Sequence, residues 1–181
     1  METIGAKNMQ NQPLKSHKCL LATQILFRIL ATAFTLAATL IILSSKQIVS
    51  VFGIEMDARY SYSSAFKFFA LSNIIGCCFS VLSLIIASVL GHKSLDPNNY
   101  FYMFLHDLIV LALLLAGCAA ATAIGYVGKY GENHSGWMPI CDHVSKFCHK
   151  VTTSVMLSYF AVILYLFLTI ISANQSRKIQ V

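Results

Sequence analysis

The chain falls into four long apolar runs, at residues 20–44, 66–90, 101–127 and 152–173, separated by short polar pieces. Each run exceeds the ~20 residues that a helix needs to cross the hydrocarbon of a bilayer. Helices of a soluble bundle would carry a polar stripe recurring every 3.6 residues, and these runs carry almost none. The pattern predicts an all-α membrane protein, a bundle of four transmembrane helices. What lies outside the spans is a tail at 1–19, a loop at 45–65, a connection at 91–100, a second loop at 128–151 and a tail at 174–181. Pieces of that size do not build a domain of their own. The first run also outlasts the 7 to 15 residue core of a signal peptide, so it is expected to stay in the membrane as a signal anchor.

Composition sharpens this picture. The chain is 57% hydrophobic and 11% charged, against about 25% charged in a typical soluble domain. Its net charge of +6 does not point to nucleic acid, because the basic residues are scattered over both ends of the spans. Lys15 and Lys18 beside the first run suit anionic lipid better. Aromatic residues gather where runs meet headgroups: Tyr60, Tyr62 and Phe66 before the second, Tyr100 and Tyr102 before the third, Tyr126, Tyr130 and Trp137 after it. That is the distribution of an interfacial belt.

Orientation does not follow from the positive charges. Lys7, Lys15, Lys18, Lys93, Arg177 and Lys178 fall on one side, and Lys46, Arg59, Lys67, Lys129, Lys146 and Lys150 on the other. Two features of the 128–151 loop break the tie. Asn133-His134-Ser135 is a glycosylation sequon, and Cys141 and Cys148 can pair in an oxidising compartment. Both favour cytoplasmic N- and C-termini, with the two loops extracellular.

Two charges inside the spans need an account. A central Arg or Asp costs ~2.5 to 3.5 kcal/mol on translocon scales, so such residues usually face the bundle interior and pair. Arg28 lies about eight residues, ~12 Å, into the first run, and Asp107 about six residues, ~9 Å, into the third. In a four-span bundle these two helices run parallel, so both charges arrive at similar depth from the same side. Arg28 alone could snorkel to headgroups, but the short side chain of Asp107 could not. The expectation is a buried Arg28–Asp107 ion pair with a structural role. His106, the neighbour in sequence, points about 100° away and reads as a core or interface histidine.

Small residues recur every four positions in the third run, at Gly117, Ala121 and Gly125. That spacing lets two helix backbones approach closely. It suits self-association and packing within the bundle equally.

Cys141 and Cys148 would lie about 10 Å apart on a continuous helix, beyond the ~7 Å limit for a disulfide, so bonding requires a turn between them. The competing arrangement is a metal held by Cys141, His143, Cys148 and His149. Cysteines in an oxidising space usually pair, so the disulfide is favoured and neither metal nor cofactor is expected. Cys77, Cys78 and Cys118 sit in spans as small apolar residues.

An arginine in the first span, an aspartate in the third and the run "ARYSYSSAFKFFALSN" leading into the second together resemble the plant Casparian strip membrane domain proteins and their CASP-like relatives, most of all subfamily 1. "GWMPICDHVSKFCHKV" is similar to that family's second extracellular loop, with its Trp and Cys pair. The resemblance covers residues 18 to 175. It implies a MARVEL-like tetraspan of the plasma membrane that forms homodimers and heterodimers with related tetraspan proteins. In the founding members such assemblies recruit extracellular cell-wall enzymes. It further implies that Arg28, Asp107, Cys141 and Cys148 occupy the family's charged and cysteine positions. The first loop lacks the stretch typical of the founding members, so their tissue and their lignin-related role are not carried over. Claudins, tetraspanins and connexins place their loop cysteines differently.

The function expected is therefore a membrane scaffold. A small channel or transporter with Asp107 as a cation or proton site is the alternative, weakened by the lack of proline within any span and of further intramembrane charges. An enzyme is not expected, since nothing supplies a nucleophile and base in an accessible pocket.

Overall fold

The computed structural model describes the backbone of residues 3–51, 54–90, 97–132 and 134–179, and within it most side chains from 21 to 175. Helix α1 spans Thr3–Leu43, strands β1 and β2 span Lys46–Val51 and Ile54–Arg59, α2 spans Ser64–Leu90, α3 spans Pro97–Tyr130 and α4 spans Ser145–Ile179. Within these helices, Leu21–Leu43, Ser64–Ile86, Phe101–Tyr130 and Ser145–Gln175 are long and apolar enough to cross a membrane. The protein is a tetraspan bundle.

The helices outrun the apolar stretches that announce them. α1 continues back to Thr3, α3 starts at Pro97 and α4 at Ser145, inside segments that hydrophobicity assigns to tail, connection and loop. Hydropathy reads the lipid-compatible length only, whereas a backbone already in helical register continues into polar sequence at little cost. Proline at the first position of α3 fits, because the N–H it lacks would have no partner there. α3 stops at Gly131, whose φ of 75° is the left-handed cap conformation and whose N–H donates to the Val127 carbonyl at 2.8 Å.

The first loop holds an element that the helical pattern does not announce. β1 and β2 form an antiparallel hairpin with Lys46 opposite Arg59 and Ser50 opposite Glu55. Lys46, Ile48 and Ser50 are exposed while Gln47 and Val49 are half-buried, the two-residue alternation of a strand with one covered face. A lone hairpin is marginal in water, and this one is tied down. The Gln47 side-chain carbonyl accepts the Phe147 N–H at 2.8 Å, satisfying one of the unpaired donors at the start of α4.

The helices pack in a ring, α1 against α2, α2 against α3, α3 against α4 and α4 against α1. Successive helices alternate in direction, so α1 and α3 stand parallel on one diagonal and α2 and α4 on the other. Gln24 of α1 and Gln175 of α4 meet at 3.3 Å at the end where both termini lie. The hairpin and the 131–144 loop share the opposite end. Between them the core is filled by Phe69, Val110, Leu114, Tyr165 and Leu168, all buried. Leu26, Leu40, Leu71, Ile85, Ile109 and Ile163 are exposed on the outward faces, as lipid requires.

Candidate functional site

The centre of the bundle is a series of side-chain contacts across its diagonals. Nearest the termini, Arg28 and Asp107 form a two-pronged ion pair: Nη1 donates to Oδ1 at 2.8 Å and Nη2 to Oδ2 at 2.6 Å. Both side chains are sealed, 1% and 0% exposed. A third helix joins them, because Arg28 Nη1 also donates to the Ser83 hydroxyl of α2. The planar guanidinium fork matches a carboxylate edge on, which a lysine could not do. His106 Nδ1 lies 3.4 Å from Asp107 Oδ1, and its ring packs edge-on against Phe79 of α2.

Moving toward the hairpin, α2 and α4 take over. The Ser80 and Tyr165 hydroxyls are hydrogen-bonded across the core, and Ser80 also donates to its own helix at the Gly76 carbonyl, 2.8 Å. One layer further, the Ser158 hydroxyl donates to Asn73 Oδ1 at 2.9 Å, and Asn73 Nδ2 donates to the Phe69 carbonyl at 3.0 Å. Ser154 of α4 reaches α1 instead, at the Ala38 carbonyl, 2.7 Å. The last layer is apolar, with the Phe66 and Phe147 rings edge to face at 6.1 Å. Along α2 the layers fall at residues 66, 73 and 80. Seven-residue steps bring a helix back to nearly the same face, with layers ~10 Å apart.

Such a ladder orients helices and carries no evident reactive group. Each polar atom used is matched by a partner from another helix or by a carbonyl of its own, as low dielectric demands. Arg28 Nε is the exception within the pair, buried with no partner among the described residues.

The other residues singled out from the sequence fall elsewhere. Gly117 sits at the α2–α3 crossing, where an added Cβ would come within 2.9 Å of the Ser72 Cβ; Ala121 is buried in the same core. Gly125, one turn on, faces open space. The small-residue stripe thus serves contact within the bundle at Gly117 and has no neighbour at Gly125. Cys141 and Cys148 are joined in a disulfide with Cα atoms 5.7 Å apart. The turn at Cys141–His143 just before α4 breaks the helical path that would have separated them. With both thiols bonded, no cluster of three or more metal-ligating side chains exists among the described residues. Asn133 lies outside the described residues.

A cavity of about 720 Å³ opens at the hairpin end, walled by β2, the start of α2, the end of α3 and the disulfide-bonded start of α4. Ile124, Gly125 and Phe147 line its apolar part, and the Asp57–Arg59 ion pair, 2.6 Å, lies at its rim.

Sequence reasoning missed Ser80, Ser83, Asn73, Ser158 and Tyr165. A signal was present: Asn73, Ser80 and Ser83 share one stripe of a mostly apolar helix. Single hydroxyls are common in membrane spans, however, and only Tyr165 on the facing helix gives Ser80 its meaning.

Residues 17–164 match the family model described as the Casparian strip membrane protein domain. The chain is 52% identical to CASP-like protein 1F1 of Vitis vinifera, over 100% of this chain and 88% of that protein. It is 52% identical to CASP-like protein 1F1 of Ricinus communis, over 100% of both. It is 33% identical to CASP-like protein 1F1 of Arabidopsis thaliana, over 87% of this chain and 91% of that one. No solved structure matches the chain.

Proposed function

The chain belongs to the CASP-like subfamily 1 of the Casparian strip membrane protein family, and on that premise we propose that it is a plasma-membrane scaffold that associates with copies of itself and with related tetraspan proteins. The observation that carries this reading is the sealed, two-pronged Arg28–Asp107 pair. Both carboxylate oxygens are taken by one guanidinium and neither side chain is exposed. A transported cation or proton would need access to Asp107, whose side chain is sealed and whose two oxygens are both engaged by Arg28. The charge pair, the Ser80–Tyr165 and Asn73–Ser158 contacts and the Cys141–Cys148 bond together favour a rigid body. In a scaffold, that rigidity presents constant outer surfaces to neighbours. The extracellular face is the end bearing the hairpin and the disulfide, and recruitment of cell-wall-modifying proteins would occur there.

Two differently tagged copies expressed together in plant cells test the reading. A scaffold predicts that one copy recovers the other from plasma membrane in mild detergent. Recovery of single copies only, at all expression levels, would contradict it.

A further inference from the structure

The cavity of about 720 Å³ is walled by the ends of three spans, since Phe66 belongs to the second, Gly125 and Lys129 to the third, and Phe147 and Thr152 to the fourth. It therefore lies where the hydrocarbon of one leaflet gives way to headgroups. Two glycines of α3 make the room. A Cβ at Gly125 would meet nothing within 4 Å, and one at Gly128 would come no nearer than 3.9 Å to the Cys141 Sγ. The wall is graded in polarity. Phe66, Val144, Phe147 and Val151 are buried, whereas Lys129, Asp142, His149 and Thr152 are exposed. An apolar interior under a polar rim suits an amphiphile, and the volume is that of a site for a small molecule, roughly 300 to 1,000 Å³.

The rim charges say which amphiphile. Asp57 and Arg59 balance each other at 2.6 Å. Lys129 and Asp142 are left over, because neither makes an ion pair among the described residues. The Lys129 ammonium lies 5.1 Å from the Tyr130 ring centroid, a contact that leaves its charge in place. One free positive and one free negative charge beside an apolar cavity complement a headgroup that carries both signs. We propose that the cavity binds a zwitterionic phospholipid of the leaflet at the hairpin end, with one acyl chain over Gly125, the phosphate at Lys129 and the ammonium at Asp142. A whole two-chain lipid is larger than the cavity, so the second chain stays in the bilayer. Depth selects the source: a lipid of that leaflet already has its chains beside α3 and α4 and its head at the level of Lys129. Once occupied, the site continues the apolar Phe66–Phe147 layer of the core out to the membrane surface.

The test is native mass spectrometry of the full-length protein in mild detergent, with phosphatidylcholine, phosphatidylglycerol or diacylglycerol of identical chains added in turn. The expected result is one phosphatidylcholine retained per chain, held roughly tenfold more tightly than either of the other two, the scale of one charge-assisted contact. Lys129→Gln and Asp142→Asn, both at exposed side chains, should each remove most of that preference and leave diacylglycerol unchanged. Gly125→Phe, which fills the cavity, should remove the retained lipid. Equal retention of the three lipids, a preference for phosphatidylglycerol, or a phosphatidylcholine preference untouched by Lys129→Gln and Asp142→Asn would overturn the site. So would undiminished retention by a Gly125→Phe chain that unfolds at the parent temperature. If Gly125→Phe does not fold, the two rim variants decide alone.

Discussion

Arg28 and Asp107 sit on helices that stand diagonally across the bundle, yet their side chains meet in two hydrogen bonds of 2.8 and 2.6 Å. Ring neighbours can be held by close backbone packing, but α1 and α3 are parallel and separated by the core. The ion pair spans that gap, and Ser83 from α2 completes the bracket. Association in lipid lacks a hydrophobic drive between helices, so a sealed charge pair has unusual leverage over how the four spans are arranged.

Removing one partner strands the other charge where nothing solvates it. Arg28→Ala and Asp107→Ala should each cost about 3 to 5 kcal/mol, read as loss of folded protein delivered to the cell surface. The exchange Arg28→Asp with Asp107→Arg should restore part of that loss. Normal surface levels of both single variants would mean that the pair does not hold the bundle together.

On the second diagonal, the two ways of changing Tyr165 should differ sharply. Tyr165→Phe keeps the ring, and Ser80 keeps its bond to the Gly76 carbonyl, so the cost should be about 0.5 to 1.5 kcal/mol. Tyr165→Ala empties a fully buried site and should cost about 3 to 5 kcal/mol. Thermal unfolding of purified protein in detergent would rank the two. Equal losses would place the weight on the hydroxyl, contrary to this account.

Two glycines of one stripe should respond in opposite directions. Gly117→Ala drives a Cβ to 2.9 Å from the Ser72 side chain and should destabilise by about 1 to 3 kcal/mol, with partial rescue by Ser72→Gly. Gly125→Ala meets nothing within 4 Å and should stabilise α3 by up to about 1 kcal/mol. The same unfolding measurement reads both signs.

How much of this was legible beforehand depended on how local the signal was. The four spans follow from apolar run length, and Arg28 and Asp107 stand out because charge in lipid is costly wherever it falls. Their partner Ser83 did not, since a serine in a span is unremarkable until the helix beside it is placed. Gly117 and Gly125 share one pattern, but which of them meets a neighbouring helix depends on where α2 crosses α3. The hairpin was hidden because its alternation is short and because its half-buried face is held by distant parts of the chain, as in the contact of Gln47 with Phe147 of α4.

Closing the short Cys141–Cys148 loop should stabilise by about 2.5 kcal/mol on the chain-entropy model, with the effect concentrated at the hairpin end. Mass spectrometry of unreduced digests should find the two cysteines in one linked peptide. Cys148→Ser should loosen the start of α4 and the 131–144 loop, seen as faster amide exchange there, while exchange around Arg28 and Asp107 stays slow. Free thiols at both positions in protein taken from cells would contradict this arrangement.

The central claim is that this tetraspan is a fixed organiser of the membrane and not a freely moving carrier. Fluorescence recovery after photobleaching of the tagged protein in the membrane of plant cells, beside the Asp107→Ala variant, tests it most directly. A scaffold predicts slow, incomplete recovery in patches for the parent protein, and loss of those patches in the variant. Fast and uniform recovery of the parent protein would contradict the claim.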